Sequence, residues 1–293
     1  MHWRFYFALS FLLLTAALCP ARQDENAKSP AFTTVPEIEA GFHQLYAQNF
    51  LDAREKFDSW ESQHPEEPFG QVALAASYLF EEFYRQGVLS SDFFLNEKKF
   101  LKGIDEKPDP ERMQHFQEAL DNSRKLAKQL LAKNARDPEA LFALTLAAGM
   151  ESNADMILKK QHLDALKRLK ESNGYAKQLL ARQQDANDAY VAMGSANYII
   201  GSLSGGMRAM LWFGGIHGDK KLGMEQLDKT VEGGRYLQPF AKILLALAAR
   251  REKQNELAQK LLLELSQEFP ESPLFAAEYA KAMGRPIPAE IQP

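Results

Sequence analysis

The side chains best suited to proton transfer or metal binding beyond the N-terminal stretch are five histidines: His43, His64, His115, His162 and His217. No two of them have the i, i+4 spacing that sets a pair of imidazoles on one helix face for a metal. His217 and Asp219 share a loop, but two residues do not make a site. Ser202 and Ser204 sit among glycines without spelling the GxSxG turn that exposes a nucleophile. The single cysteine is Cys19. A chain cleaved after Ala21 would keep no thiol for a disulfide, a metal site or catalysis. Ten of the 17 glycines fall between Gly194 and Gly234, most densely from Gly205 to Lys221. Glycine loops leading into a helix can cradle phosphate with backbone N–H groups, yet neither GxxxxGK[ST] nor GxGxxG is present. The reading is a protein that is not an enzyme and needs no cofactor or metal.

The elements that carry these residues are helical throughout. Apolar residues recur at helical spacing, as in Val72, Ala75, Ala76 and Leu79. Prolines such as Pro36, Pro68, Pro110, Pro138, Pro239 and Pro273 stand where helices would start. Two stretches share one pattern. Reading back from Pro65, the first has Gly41, Phe50, Ala53, Phe57 and Trp60; reading back from Pro270, the other has Ala246, Ala258, Leu262 and Leu265. Small residues at positions 8 and 20 let two helices approach closely, an apolar residue holds position 24, and proline closes the unit. This spacing resembles the tetratricopeptide repeat (TPR), a helical hairpin of about 34 residues.

The resemblance implies an all-α fold, a right-handed α-solenoid of about five TPR-like hairpins with a capping helix over Pro273 to Met283. Gly194 and Gly223 take positions 8 and 20 of a fourth unit, and units two, three and four carry insertions between their two helices. Those turns share one edge of such a solenoid, so the insertions should cluster there. The first insertion is aromatic, with Phe93, Phe94 and Phe100. The second helix of unit three should run from about Leu158 to Gln183. The glycine-rich insertion surrounds a short apolar stretch, Met207, Met210, Leu211, Trp212 and Phe213, read either as packed core or as a sticky edge for a protein or lipid surface. The segment 205–234 is also similar to part of the tetratricopeptide-repeat 39 family, which again implies helical architecture and nothing about function.

In a TPR the first helix of each hairpin lines the concave face. The resemblance therefore implies an aromatic floor of Phe42, Tyr46, Phe69, Phe80, Phe142 and Tyr198, with a basic end at Arg250 and Arg251. Such a groove suits a peptide with apolar anchors and a carboxylate. Tight winding of the solenoid would instead bury the aromatics, and the two arginines would then be a helix end stabilised by the helix dipole.

The ends place the protein. Arg4, the apolar run Phe5 to Leu18, and small residues at Cys19 and Ala21 read as a secretory signal cleaved after Ala21. That run is shorter than the about 20 residues of a membrane span. The alternative is cleavage before Cys19 and lipid on its thiol, a signal that the bulky Leu18 fits poorly. The division is a signal peptide over 1–21, a flexible leader over 22–35, the repeat domain over 36–284 and a tail over 285–293. A formal charge of −4 gives no reason for a nucleic acid or an anionic membrane as partner. The expectation is an exported, periplasmic scaffold that binds a protein or peptide. Its alternative is a component of an envelope transport system that holds a small ligand or docks on a membrane complex.

Overall fold

The computed structural model describes residues 35–213 and 215–287. The expected signal peptide with Cys19, the leader as far as residue 34, and residues 288–293 lie outside them. Fourteen α-helices and no strand make up the described residues. Helices α1 (Pro36–Tyr46) and α2 (Phe50–Gln63) form the first hairpin. Helix α3 (Pro68–Arg85) is followed by two short helices, α4 (Ser91–Leu95) and α5 (Glu97–Lys102), before its partner α6 (Pro110–Lys133). Helix α7 (Pro138–Asn153) pairs with α8 (His162–Arg182). Helix α9 (Tyr190–Ser202) leads through α10 (Gly205–Phe213) to its partner α11 (Lys220–Gly233). Helices α12 (Gln238–Arg251) and α13 (Asn255–Glu268) form the fifth hairpin, and α14 (Pro273–Ala282) covers its outer face.

Local chemistry fixes these boundaries. Proline opens α1, α3, α6, α7 and α14, where a missing N–H is harmless. The carboxylates of Asp109, Asp137 and Asp219 accept the N–H groups of Arg112, Ala140 and Leu222 and cap α6, α7 and α11. The turns inside the first and fifth hairpins are the same. Gln48 and Lys253 occupy one repeat position and both are left-handed, with φ of 64° and 61°. In both turns the following N–H reaches back five residues, Asn49 to Gln44 and Gln254 to Ala249. That bond closes a Schellman turn, with a non-glycine residue at the strained position. One boundary differs from expectation. Residues Ala154–Leu158 extend α7 as a π-helical turn, so α8 starts at His162 and not near Leu158.

The small residues sit where the helices cross. A Cβ on Gly194 would lie 2.9 Å from the Gly223 carbonyl oxygen, and one on Gly223 would lie 2.5 Å from the Tyr198 nitrogen. The backbones of α9 and α11 thus touch, as positions 8 and 20 require. In the first hairpin a Cβ on Gly41 would lie 2.3 Å from the Phe57 ring, so the glycine makes room for the aromatic at position 24. Each hairpin packs on the next along the chain, and the result is an all-α solenoid.

The first and last hairpins also meet. Tyr46 and His43 pack on Phe269, with ring centroids 5.7 and 5.0 Å apart. His43 Nε2 lies 2.9 Å from Glu271 Oε1, and Ser272 Oγ donates to the Gln48 side chain. The insertion after α3 reaches the same end of the chain. Ser91 N–H donates to Glu278 at 3.2 Å and Lys281 Nζ donates to Asp92 at 2.8 Å, while Phe80 of α3 itself meets Phe240 edge-on at 5.6 Å. The insertions of units two and three touch as well, through the Ile104 N–H and the Ile157 carbonyl at 3.2 Å.

Candidate functional site

The inner face of the solenoid is filled. Phe42, Phe69 and Phe142 stack in a row, with centroids 6.1 and 5.4 Å apart. Tyr236, from the turn between α11 and α12, inserts its ring among them at 5.4 Å from Phe42 and 5.2 Å from Phe69. Tyr46 Oη donates to the Tyr236 carbonyl at 2.9 Å. Phe42, Tyr46, Phe69, Phe142 and Tyr198 are all buried. Phe80 is half-buried and packed on the core. The expected open aromatic floor is therefore corrected in favour of its alternative, burial as core: Tyr236, from the turn between α11 and α12, fills the inner face. The basic end is corrected in part. Arg250 is held inside the molecule, donating to Ser91 Oγ and, at 3.4 Å, to Glu278. Arg251 is exposed at the end of α12. Tyr198 Oη donates to the Ala248 carbonyl at 3.3 Å and lies 3.2 Å from Glu252 Oε1. Burial, then the Glu252 charge, push its hydroxyl up to about 12.

Sequence reasoning did not find the plug or its holder. Asp188 is buried, and its carboxylate accepts the N–H groups of Arg235 at 2.9 Å and Leu237 at 2.9 Å, fixing the backbone on both sides of Tyr236. Gly234 lets this turn close: a Cβ there would lie 2.5 Å from the Thr230 carbonyl oxygen. The only visible signal was a glycine pair followed by an aromatic just before a helix-opening proline.

Other buried charges are paired. Glu82 is fully buried and accepts from Arg85, Gln86 and Arg112. Burial alone would raise its carboxyl, but those bonds outweigh burial and hold it below the ordinary value. Glu151 is bonded by Arg124 and lies 2.9 Å from Arg168 Nε. Glu67 and Glu139 form a different pair, carboxyl against carboxyl, at the base of α7. Among the described residues no group of three or more His, Cys, Asp or Glu is placed to hold a metal.

The glycine-rich insertion behaves differently from the inner face. Leu211 is buried, while Trp212 and Phe213 are 61% and 83% exposed and Met207 is 41% exposed. The two aromatic rings meet edge-on at 5.5 Å. The aromatic insertion of unit two makes the contrast: Phe93 is buried and packs against Phe94 and Phe100. Of the two insertions, only α10 presents its large apolar side chains to solvent as a group.

No protein-family model matches the sequence, and no curated protein does. The local similarity of 205–234 to the tetratricopeptide-repeat 39 family thus finds no support. Among solved structures, a thermophilic TPR protein of Thermus thermophilus aligns over 84% of this chain and 97% of its own, with 13% identity and a TM-score of 0.45. So distant a likeness carries nothing about function, and the hairpin architecture rests on this chain's own packing.

Proposed function

We propose that the chain is an exported, non-catalytic adaptor that docks on an envelope membrane complex through the tip of α10. The observation that supports this reading is the gathering of Met207, Trp212 and Phe213 on one short exposed helix, on a scaffold whose inner face is already occupied. Grouped exposed apolar side chains mark contact surfaces, whereas single ones are ordinary. The other large exposed apolar residues, such as Leu51, Leu163 and Leu263, lie on separate helices. The peptide-groove reading loses its seat, because Tyr236 stands where the peptide would lie. A ligand-holding role has no observation in its favour.

The test is a photo-crosslinking residue placed at position 213 and, separately, at position 42, in the chain expressed in its own envelope. Adducts from 213 and none from 42 are expected. Trp212→Ser with Phe213→Ser should abolish docking and leave helicity unchanged. Adducts from position 42, or none from 213, would overturn the reading.

A further inference from the structure

We infer that the α10 tip seats in an anionic lipid surface, an inference that rests on the tip being the docking surface and names what it meets. Three observations point there. First, the exposed group is a tip and not a face. Leu211 turns inward while Trp212 and Phe213 project beyond it. A stable protein interface covers about 800 Å² on each partner, so three side chains on one nine-residue helix make only a small part of the contact with a membrane complex. A bilayer needs no matching surface and accepts a small wedge.

Second, the residue types suit the boundary between headgroups and acyl chains. Tryptophan concentrates there because its ring is apolar and its N–H polar. Phenylalanine and methionine add apolar volume, as in helices that lie in the interface plane.

Third, the local charge is complementary. The chain as a whole carries −4, yet the thirty residues between Asp188 and Asp219 contain no carboxylate. Arg208 is exposed on α10 itself, whereas Lys220 and Lys221 are paired with Glu252 and Glu225 at 2.7 and 3.9 Å, and Asp219 caps α11. With one cation and no carboxylate of its own, α10 approaches anionic headgroups without repulsion. Gly205 and Gly206 open the helix and Gly215 and Gly218 follow it, with Gly215 left-handed at φ 73°.

The experiment uses the full chain with Trp3→Phe and Trp60→Phe, which leaves Trp212 as its sole indole. The apolar run at 5–18 can itself hold the chain to vesicles, so the readout is the environment of Trp212 and not sedimentation. Mixed phosphatidylethanolamine–phosphatidylglycerol vesicles should shift Trp212 emission to shorter wavelength. Lipids brominated on the acyl chains should quench it. Phosphatidylcholine vesicles should do so less, and Phe213→Ser should reduce the shift. Emission that stays at the wavelength of a water-exposed indole on vesicles would overturn the inference, as would a blue shift that appears with rising protein concentration and no lipid, which is self-association. An aqueous Trp212 on vesicles, together with protein adducts from position 213, would sink the lipid inference and leave the docking reading standing. An aqueous Trp212 and no adducts would remove both.

Discussion

Asp188 lies buried; burial raises its carboxyl above the ordinary value, and the Arg235 charge and, above all, backbone N–H groups pull it back. Those of Arg235 and Leu237 meet its carboxylate at hydrogen-bond distance, and such charge-assisted bonds are the strong ones. Asp188→Ala should leave both donors buried or force the turn open, destabilising the fold by about 1–3 kcal/mol in urea denaturation. A wild-type midpoint would show that Tyr236 is held by its ring alone. The Glu67–Glu139 pair makes a pH prediction. Burial, then the charges of Glu67 and Asp137, raise Glu139 from 4.5 to about 8. Burial raises Glu67 too, against the opposing pull of His64. Each carboxyl has a buried oxygen with no donor from elsewhere, and a shared proton satisfies both. The unfolded chain releases that proton near pH 4.5 and the folded chain keeps it to about pH 8. The contribution is therefore complete below the lower value and lost as pH rises through the window. Glu139→Gln should flatten the fall of Tm across that window. At its upper end it should gain on the order of 1 kcal/mol, less than the full shift implies because the pair is partly solvated.

At the scale of the element, glycine position decides the outcome of substitution. Gly223→Val should force α9 and α11 apart, since the nearest atoms are backbone, at about 1–3 kcal/mol or more. Gly174→Ala, inside α8 with nothing within 4 Å of the added carbon, should stabilise by roughly 0.5–1 kcal/mol. Equal thermal shifts for the two would contradict the helix crossing. The hairpins were legible in sequence for this same reason: proline starts, small residues at positions 8 and 20, and an apolar position 24 are local demands of one hairpin. Helix α11 was readable on those terms, through Gly223 at position 20. The π-helical turn after α7 was not, because its alternative, an ordinary helix end, has the same composition. The candidate site was legible in part at α10, where the apolar stretch Met207 to Phe213 reads equally as core or as a sticky edge, and only the structure separates buried Leu211 from exposed Trp212 and Phe213. The floor residues were misjudged because Tyr236 fills their groove from nearly two hundred residues away from Phe42, and no periodicity reports that distance.

At the scale of the whole molecule, contact between the ends changes how the fold should come apart. In an open solenoid each repeat touches only its neighbours, so terminal repeats fray independently and a mutation is felt locally. Here the last hairpin supports the first through Phe269, which packs on His43 and Tyr46, and the turn before α12 adds Tyr236 against Phe42. The polar pair of His43 and Glu271 on this seam is partly exposed, and such pairs contribute about 0–1 kcal/mol. The aromatic contacts must then carry the coupling. Phe269→Leu keeps the site apolar but shortens the ring that bridges the two ends, so α13 and α14 retain their own packing. Amide hydrogen exchange should show α1 losing protection alongside α13, although the mutation lies more than two hundred residues along the chain from it. Neighbour-only packing would confine the loss to α13 and α14 and leave α1 unchanged. That second pattern would also reopen the groove, because an inner face covered only by weak end contact would be free to admit a peptide.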